Sequence, residues 1–363
     1  MKTVLVFFGG QSVEHDVSII TGVMTLNSVD KEKYSALPIY INKKGEWFFG
    51  KQLYDIDGYK NLKQEKLKRV TLIGNELYVI KGKRIHKIAD VSLAINCMHG
   101  ERGEDGSLSG LLSMCKIPLA SPDVLGSSVA MDKAFTKKIA KALNVKVLPC
   151  VTITDNSGLE EKIKGLKFPI IVKPNSLGSS IGINRAENII ELESAINYAL
   201  RFGDKVVLEP CLEDFIEINC SAYARADGSI RVSECERPVG RNSVLSFDDK
   251  YRFGKRVFPA DIEDSVARTI KNYTRKIYQE MGFSGVIRID YFVVDKKVYL
   301  NEINTVPGSL AYYLFCDTLK DFGGMLNELF EVALKEGAKR TSIQTEFSTG
   351  ILSFTGGKSA KRL

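Results

Sequence analysis

The sequence has little that would mark a secreted, zinc-stapled or membrane-spanning protein. Its seven cysteines (Cys97, Cys115, Cys150, Cys211, Cys220, Cys235, Cys316) are odd in number, scattered and never paired as CxxC. A zinc knuckle or disulfide framework needs closer, patterned spacing, so reduced thiols are expected. No apolar run approaches the roughly 20 residues that cross a bilayer, and Met1–Phe8 holds no n-region or long h-region. The expectation is a soluble, cytoplasmic protein with no membrane partner. A Walker loop is missing as well. Gly356-Gly-Lys-Ser359 has Leu352 where the first glycine of GxxxxGK[ST] belongs. No internal repeat occurs, and no low-complexity stretch beyond the tail.

What is present is an ordinary globular mixture: 363 residues, 44% apolar and 26% charged. That is enough chain for two or three domains with real cores. The formal net charge is +7, but +4 of it follows Ala338, in Lys339, Arg340, Lys358, Lys361 and Arg362 against Glu346. With no aromatic-interleaved basic stripe in the body, a solvated tail is expected and no nucleic-acid partner.

Thr3–Phe8 reads as a buried strand ending at Gly9-Gly10. Helix-like spacing follows over Ser18–Asn27, then an extended run over Ala36–Ile41. Strand, glycine turn, helix, strand is how a parallel α/β layer begins. Val70–Ile73, Leu77–Ile80 and Arg84–Ile88 suggest a lysine-rich antiparallel meander. Val91–Cys97 then returns as a strand. Loops at the carboxyl ends of parallel strands bind ligands in such sheets, which singles out Gly9–Ser18 and His99–Ser107. A lysine-rich amphipathic helix is expected over Met131–Leu143 and further helices over Ile262–Met281 and Gly323–Glu336. The expected units are residues 1–121 (an N-terminal α/β unit), 122–209 (a small central unit), 210–340 (a C-terminal unit) and 341–363 (the basic tail).

Chemistry concentrates in four segments. In Arg288-Ile-Asp290 and Glu302-Ile-Asn304 the polar residues fall two apart, so each pair shares a strand face opposite isoleucine. Only Asp295-Lys-Lys297 separates the strands, so an antiparallel hairpin brings Asp290, Glu302 and Asn304 together as oxygen donors suited to Mg²⁺. An exposed hairpin with a wet polar face would carry the same pattern. Lys173-Pro-Asn-Ser-Leu-Gly-Ser-Ser-Ile-Gly182 offers backbone N–H groups, hydroxyls and one cation to phosphate, and is equally readable as a linker. Gly9-Gly-Gln-Ser-Val-Glu-His15 and His99-Gly-Glu-Arg-Gly-Glu-Asp-Gly106 place Glu14, for an ammonium, and His99, for a carboxylate, in glycine-rich loops. Each is also compatible with a turn and helix cap. His86 reads as structural or exposed.

These segments, in this order, resemble the D-alanine–D-alanine ligases of the ATP-grasp superfamily. His99-Gly-x-x-Gly-Glu-Asp-Gly-Ser-Leu-Ser-Gly110 matches the first family signature. Arg288-x-Asp290 with Leu300-x-Glu-Ile-Asn-Thr-x-Pro-Gly308 matches the core of the second, departing at Met281 and Tyr291. Gly9-Gly-x-Ser-x-Glu14 and Met131-Asp-Lys133 also match, and the likeness runs from about Thr3 to Lys335.

The resemblance implies an α/β (α+β) chain: a three-domain ATP-grasp fold behind an N-terminal parallel-sheet domain. It implies ATP phosphates on Lys133, Lys173 and Ser179, adenine and ribose on Glu209, Leu212 and Glu217, and two Mg²⁺ (or Mn²⁺) on Asp290, Glu302 and Asn304. The implied reaction makes D-alanyl-D-alanine for peptidoglycan precursors through a D-alanyl phosphate. Glu14 and His99 would hold the first D-alanine, and Arg288 with the Gly308 N–H would face the oxyanion. Lys250 and Tyr251 would lie on a closing loop, with Tyr251 bonded to Ser179 and Glu14. Homodimers are implied too. Family members usually carry several residues between Pro-Gly and the Ser-Leu that takes the second carboxylate, whereas Ser309-Leu310 follows Gly308 at once. That shortening keeps D-Ala–D-Ser ligation open as an alternative. A nucleotide-binding regulator that has lost turnover is the third possibility.

Overall fold

The computed structural model describes residues 1–239 and 255–350. Lys250 and Tyr251 therefore lie outside the described residues.

The N-terminal unit is built on β1 (Lys2–Gly9), whose run Val-Leu-Val-Phe-Phe is buried on both faces. Strands covered on both sides read as continuous apolar runs, and this one sits between two parallel neighbours. After the turn at Gly9-Gly10 come α1 (His15–Ser28) and β2 (Tyr34–Ile41). Gly22 lets α1 close on β1, because a Cβ there would sit 2.3 Å from the Phe8 ring. Strand β3 (Trp47–Phe49) leads into the meander β4 (Lys68–Ile73), β5 (Glu76–Lys81) and β6 (Arg84–Asp90), and β7 (Leu93–Asn96) follows. The meander is not a separate layer. It extends the sheet through β3, giving the order β6-β5-β4-β3-β2-β1-β7, in which only β2, β1 and β7 run parallel. His86 lies exposed on the edge strand β6.

Three short helices follow: α2 (Ser107–Met114), α3 (Val124–Met131) and α4 (Lys133–Ala142). The expected single helix from Met131 is interrupted at Asp132, whose carboxylate accepts from Phe135 N–H at 2.8 Å and starts a new helix there. The central unit pairs β8 (Val151–Ile153), β9 (Ile170–Pro174), β10 (Asn184–Ala186) and β11 (Val206–Pro210) in the order β10-β9-β11-β8. The short helix α5 (Leu159–Lys162) and α6 (Ile189–Ala199) accompany them. The C-terminal sheet joins β12 (Ile216–Ala224) and β13 (Ile230–Val232) to the long hairpin β16 (Val286–Val294) and β17 (Lys297–Asn304). A ribbon, β14 (Arg237–Val239) with β15 (Lys255–Val257), stands beside it.

The helix Asp264–Glu280 covers the core behind β16. The last helix, Leu319–Thr341, starts at a capping box between Thr318 and Asp321. It returns to the first unit, where Phe322, Leu326 and Phe330 pack with Val4, Val6 and Phe8. The chain therefore closes on itself and brings the loops after β1, β7 and β17 to one place. No helix among the described residues is long and apolar enough to cross a membrane.

Candidate active site

Lys133, Lys173, Glu209, Leu212, Glu217 and Glu302 all line one cleft between the central and C-terminal sheets. Ile171, Phe215 and Phe292 supply apolar walls, with Ser180 and Asn301 as further polar lining. Register explains the meeting of Lys173 and Glu209. Lys173 pairs with Val207, so Glu209, two residues on, lies diagonally across on the same face. Lys173 Nζ donates to Glu209 Oε2 at 2.7 Å and to Asn301 Oδ1 at 3.2 Å. Lys137, one turn after Lys133 on α4, forms a second ion pair with Glu209 Oε1. Burial alone would raise the Glu209 pKa, but the two ammonium groups outweigh it and hold the carboxyl at about 2.

On the hairpin, Asp290 stands directly opposite Glu302, and Arg288 opposite Asn304. Two carboxylates facing across a ladder repel unless cations intervene. Here Arg288 donates to Asp290 in a bidentate pair, Nε to Oδ1 at 2.7 Å and an Nη to Oδ2 at 2.9 Å. Lys133 Nζ lies 3.4 Å from Glu302. Asn304 Nδ2 donates to Asp290 Oδ2 at 3.1 Å. Burial disfavours the guanidinium charge, yet the Asp290 carboxylate more than restores it and raises the Arg288 pKa. Two carboxylates and a carboxamide are the oxygen set a hard divalent cation takes, and their mutual repulsion is what such a cation relieves. Among the described residues no cluster of three His, Cys, Asp or Glu could hold a metal, so this mixed set is the candidate.

A second cluster forms where α1 begins. Glu14 is buried at the N-cap of α1 and accepts a hydrogen bond from Ser179 Oγ, 165 residues away. Gly100 has φ +74°, and a Cβ there would sit 2.4 Å from Ser12 Oγ and 2.9 Å from Glu14 Oε2, so only glycine fits. His99 is buried, and burial pushes its pKa down to about 4 against the Val306 carbonyl it bonds. Its Nε2 lies 2.8 Å from Thr21 Oγ1. Beyond Pro307, a Cβ on Gly308 would meet nothing within 4 Å, so space lies open above that peptide. Ser309, Leu310 and Ala311 then adopt φ of 54°, 51° and 49°. Left-handed backbone costs L residues roughly 1–2 kcal/mol each. Leu310 and Ala311 are buried, and the Leu310 N–H turns back to the Pro307 carbonyl at 2.8 Å.

Four residues of the site went unread in the sequence. Lys137 shares the inner face of α4 with Lys133, a spacing of four that would have announced it. Asn301 reaches the cleft beside Glu302 because a bulge between Asp290 and Tyr291 breaks the strand alternation. Glu104 accepts from Gly100 N–H and Val306 N–H, each at 2.9 Å, and ties the His99 loop to the turn after β17. Burial, then the charge of Glu14, raises its pKa. Thr21 belongs to a row of hydroxyls, Ser18, Thr21 and Thr25, at helical spacing on the inner face of α1.

Comparison with known proteins identifies the family. The family model described as D-ala D-ala ligase N-terminus matches residues 3–122, and that described as D-ala D-ala ligase C-terminus matches residues 139–335. The D-alanine–D-alanine ligase of Thermosipho melanesiensis is 32% identical over 370 residues, covering 99% of this chain and 100% of the relative. That of Thermosipho africanus is 35% identical over 348 residues, covering 92% and 94%. Among solved structures, the D-alanine–D-alanine ligase of Helicobacter pylori superposes with a TM-score of 0.75 at 28% identity, covering 91% of this chain and 98% of that one. The VanG D-Ala:D-Ser ligase of Enterococcus faecalis shares the fold at 0.75 and 24% identity, covering 93% and 98%. With both family models matched in order and whole-length relatives on either side of one-third identity, the chain belongs to the D-alanine–D-alanine ligase family.

Proposed function

We propose that this chain joins two D-alanines at the expense of ATP, and that it does so with the residues gathered around the cleft. The observation that carries the reading is the convergence of Glu14 and Ser179 with the Arg288, Asp290, Glu302 and Asn304 hairpin beside a lysine-lined cleft. A carboxylate is a poor acyl donor, so it must first acquire a leaving group. In this reading a carboxylate oxygen of the first D-alanine bonds the γ-phosphorus and ADP departs. The neutral amine of the second D-alanine then bonds the acyl carbon, phosphate leaves with the C–O electron pair, and the nitrogen gives up a proton that the departing phosphate can take.

Lys133 and Lys173 hold the triphosphate, and Leu212, Glu217 and the Glu209 segment hold the nucleoside end of the cleft. Asp290, Glu302 and Asn304 hold Mg²⁺, which supplies charge neutralisation between two approaching anions. Glu14 takes the ammonium of the first D-alanine. Arg288 and the Gly308 N–H face the oxygen of the tetrahedral intermediate, and such donors are worth about 10²–10³-fold each. Ser309 and Leu310 border the second D-alanine. The product feeds peptidoglycan precursor synthesis, and the enzyme is a cytoplasmic homodimer, which sedimentation checks.

The test is an ADP-release assay with product mass spectrometry, in Mg²⁺, with D-alanine, D-serine and D-lactate in competition. D-Ala–D-Ala dominant at neutral pH is expected. Dominant D-Ala–D-Ser would move the reading to the alternative that the short loop before Ser309 favours. No D-alanine-dependent ADP release would remove ligation altogether.

A further inference from the structure

A helix packed on a sheet normally turns apolar side chains inward, yet α1 buries three hydroxyls, Ser18, Thr21 and Thr25, each with no exposed surface. Two of them tie α1 to a single neighbour, the loop after β7. Ser18 Oγ donates to the Glu14 carbonyl at 3.1 Å and accepts from His99 N–H at 2.8 Å, and Thr25 Oγ1 donates to the Thr21 carbonyl at 2.8 Å and accepts from Cys97 Sγ at 3.5 Å. Thr21 ties it to two. Its hydroxyl meets both Ser309 N at 3.1 Å and His99 Nε2 at 2.8 Å, joining segments 288 and 78 residues away.

One proton in this network is fixed: a backbone N–H can only donate, so Thr21 Oγ1 accepts from Ser309. Toward His99 Nε2 the hydroxyl donates when the neutral ring carries its proton on Nδ1, and accepts through its second lone pair when the proton is on Nε2. Within the left-handed turn the Leu310 N–H is already spent on Pro307. The Ser309 N–H is therefore the turn's backbone tie to α1, the helix that also carries Glu14.

We propose that Thr21 is a positioning residue for the second-substrate pocket, its hydroxyl fixing the Ser309 turn and the His99 ring in one hydrogen-bonded chain. This rests on the reading that Ser309 and Leu310 border the second D-alanine. Removing the hydroxyl while keeping the shape, as in Thr21→Val, would leave the half-buried Ser309 N–H without its acceptor and His99 Nε2 without its partner. The turn, strained by its backbone, would lose its register to α1.

The experiment uses the full-length enzyme with D-alanine, whose two binding steps are resolved by rate against concentration. Thr21→Val is expected to raise the KM of the second D-alanine at least about tenfold, with a smaller effect on the first and less than about twofold on ATP. Thr21→Ser, which restores the hydroxyl, is expected to return the second KM to within about threefold. An equal rise at both D-alanine steps, a matching rise for ATP, no rise at all, or no rescue by serine overturns the proposal. Thr21→Ala serves in place of valine if that variant does not fold.

An independent readout follows the imidazole. The chain has three histidines, so ¹⁵N spectra of the imidazoles can be assigned. His99 Nε2 is expected at a hydrogen-bonded shift that Thr21→Val moves and Thr21→Ser restores. A His99 Nε2 shift that Thr21→Val leaves unmoved overturns the Thr21 assignment alone. Ser309→Ala with an unchanged second KM overturns instead the substrate reading on which it rests.

Discussion

Replacing Glu209 with glutamine tests how the cleft is held together. The Glu209 side chain is 2% exposed and sits between Lys137, 3% exposed, and Lys173, 11% exposed. Glutamine keeps the shape and removes the carboxylate those two ammonium groups share. The magnitude follows from the proton affinity. An ordinary glutamate titrates at 4.5, while the two lysines, overcoming burial, hold this one at about 2. That is a roughly 300-fold change, worth about 3 kcal/mol at about 1.4 kcal/mol per tenfold. Breaking a buried pair by removing one partner costs a similar amount, about 3–5 kcal/mol. The sign is fixed by the depressed pKa. The stabilisation is fully present above pH 4.5, where the unfolded carboxyl is also ionised, and is lost as pH falls toward 2. Urea unfolding followed by circular dichroism should therefore find Glu209→Gln about 3 kcal/mol less stable at pH 7. The gap should hold down to about pH 5 and then narrow. A gap under about 1 kcal/mol at pH 7, or one that widens on acidification, would refute the reasoning.

Arg288→Met should lower kcat at least about 100-fold in the coupled ADP assay, with the far-ultraviolet spectrum unchanged. Its bidentate partner Asp290 is fully buried, so a loss of thermal stability in the magnesium-free protein should accompany it. Gly100→Ala forces a Cβ into Ser12 and Glu14 at a positive φ, and should raise the KM of the first D-alanine more than that of ATP. Ser179→Ala removes the hydroxyl that Glu14 accepts from, and should also weaken the first D-alanine, read as a rise in its KM with little change in melting temperature. The opposite order of KM effects in either variant would count against Glu14 as the ammonium site.

The strand Thr3–Phe8, the meander and the late hairpin were legible because each is a local pattern: a continuous apolar run, breaks at Gly74-Asn75 and Lys81-Gly-Lys83, and alternation on either side of a short turn. The convergence of Asp290, Glu302 and Asn304 followed from alternation alone. What alternation could not supply was its own interruption, and the bulge that turns Asn301 into the cleft depends on how β17 lies against β16. Lys137 lay within the expected lysine-rich helix, where the spacing of four sets it beside Lys133 but does not name its partner, because Glu209 is 72 residues away on another sheet. The turn at Ser309, Leu310 and Ala311 is the hardest case. Its conformation favours glycine, and none of the three is glycine. Local preference predicts some other turn there. The observed one holds because Leu310 and Ala311 are packed into the core shared with the last helix, and because Ser309 is tied to α1 by Thr21. A chain that spends tertiary packing to keep three residues in a disfavoured region has that shape for a reason the local sequence does not contain. The short loop after Gly308, which suggested a changed second pocket, is the place where that packing acts.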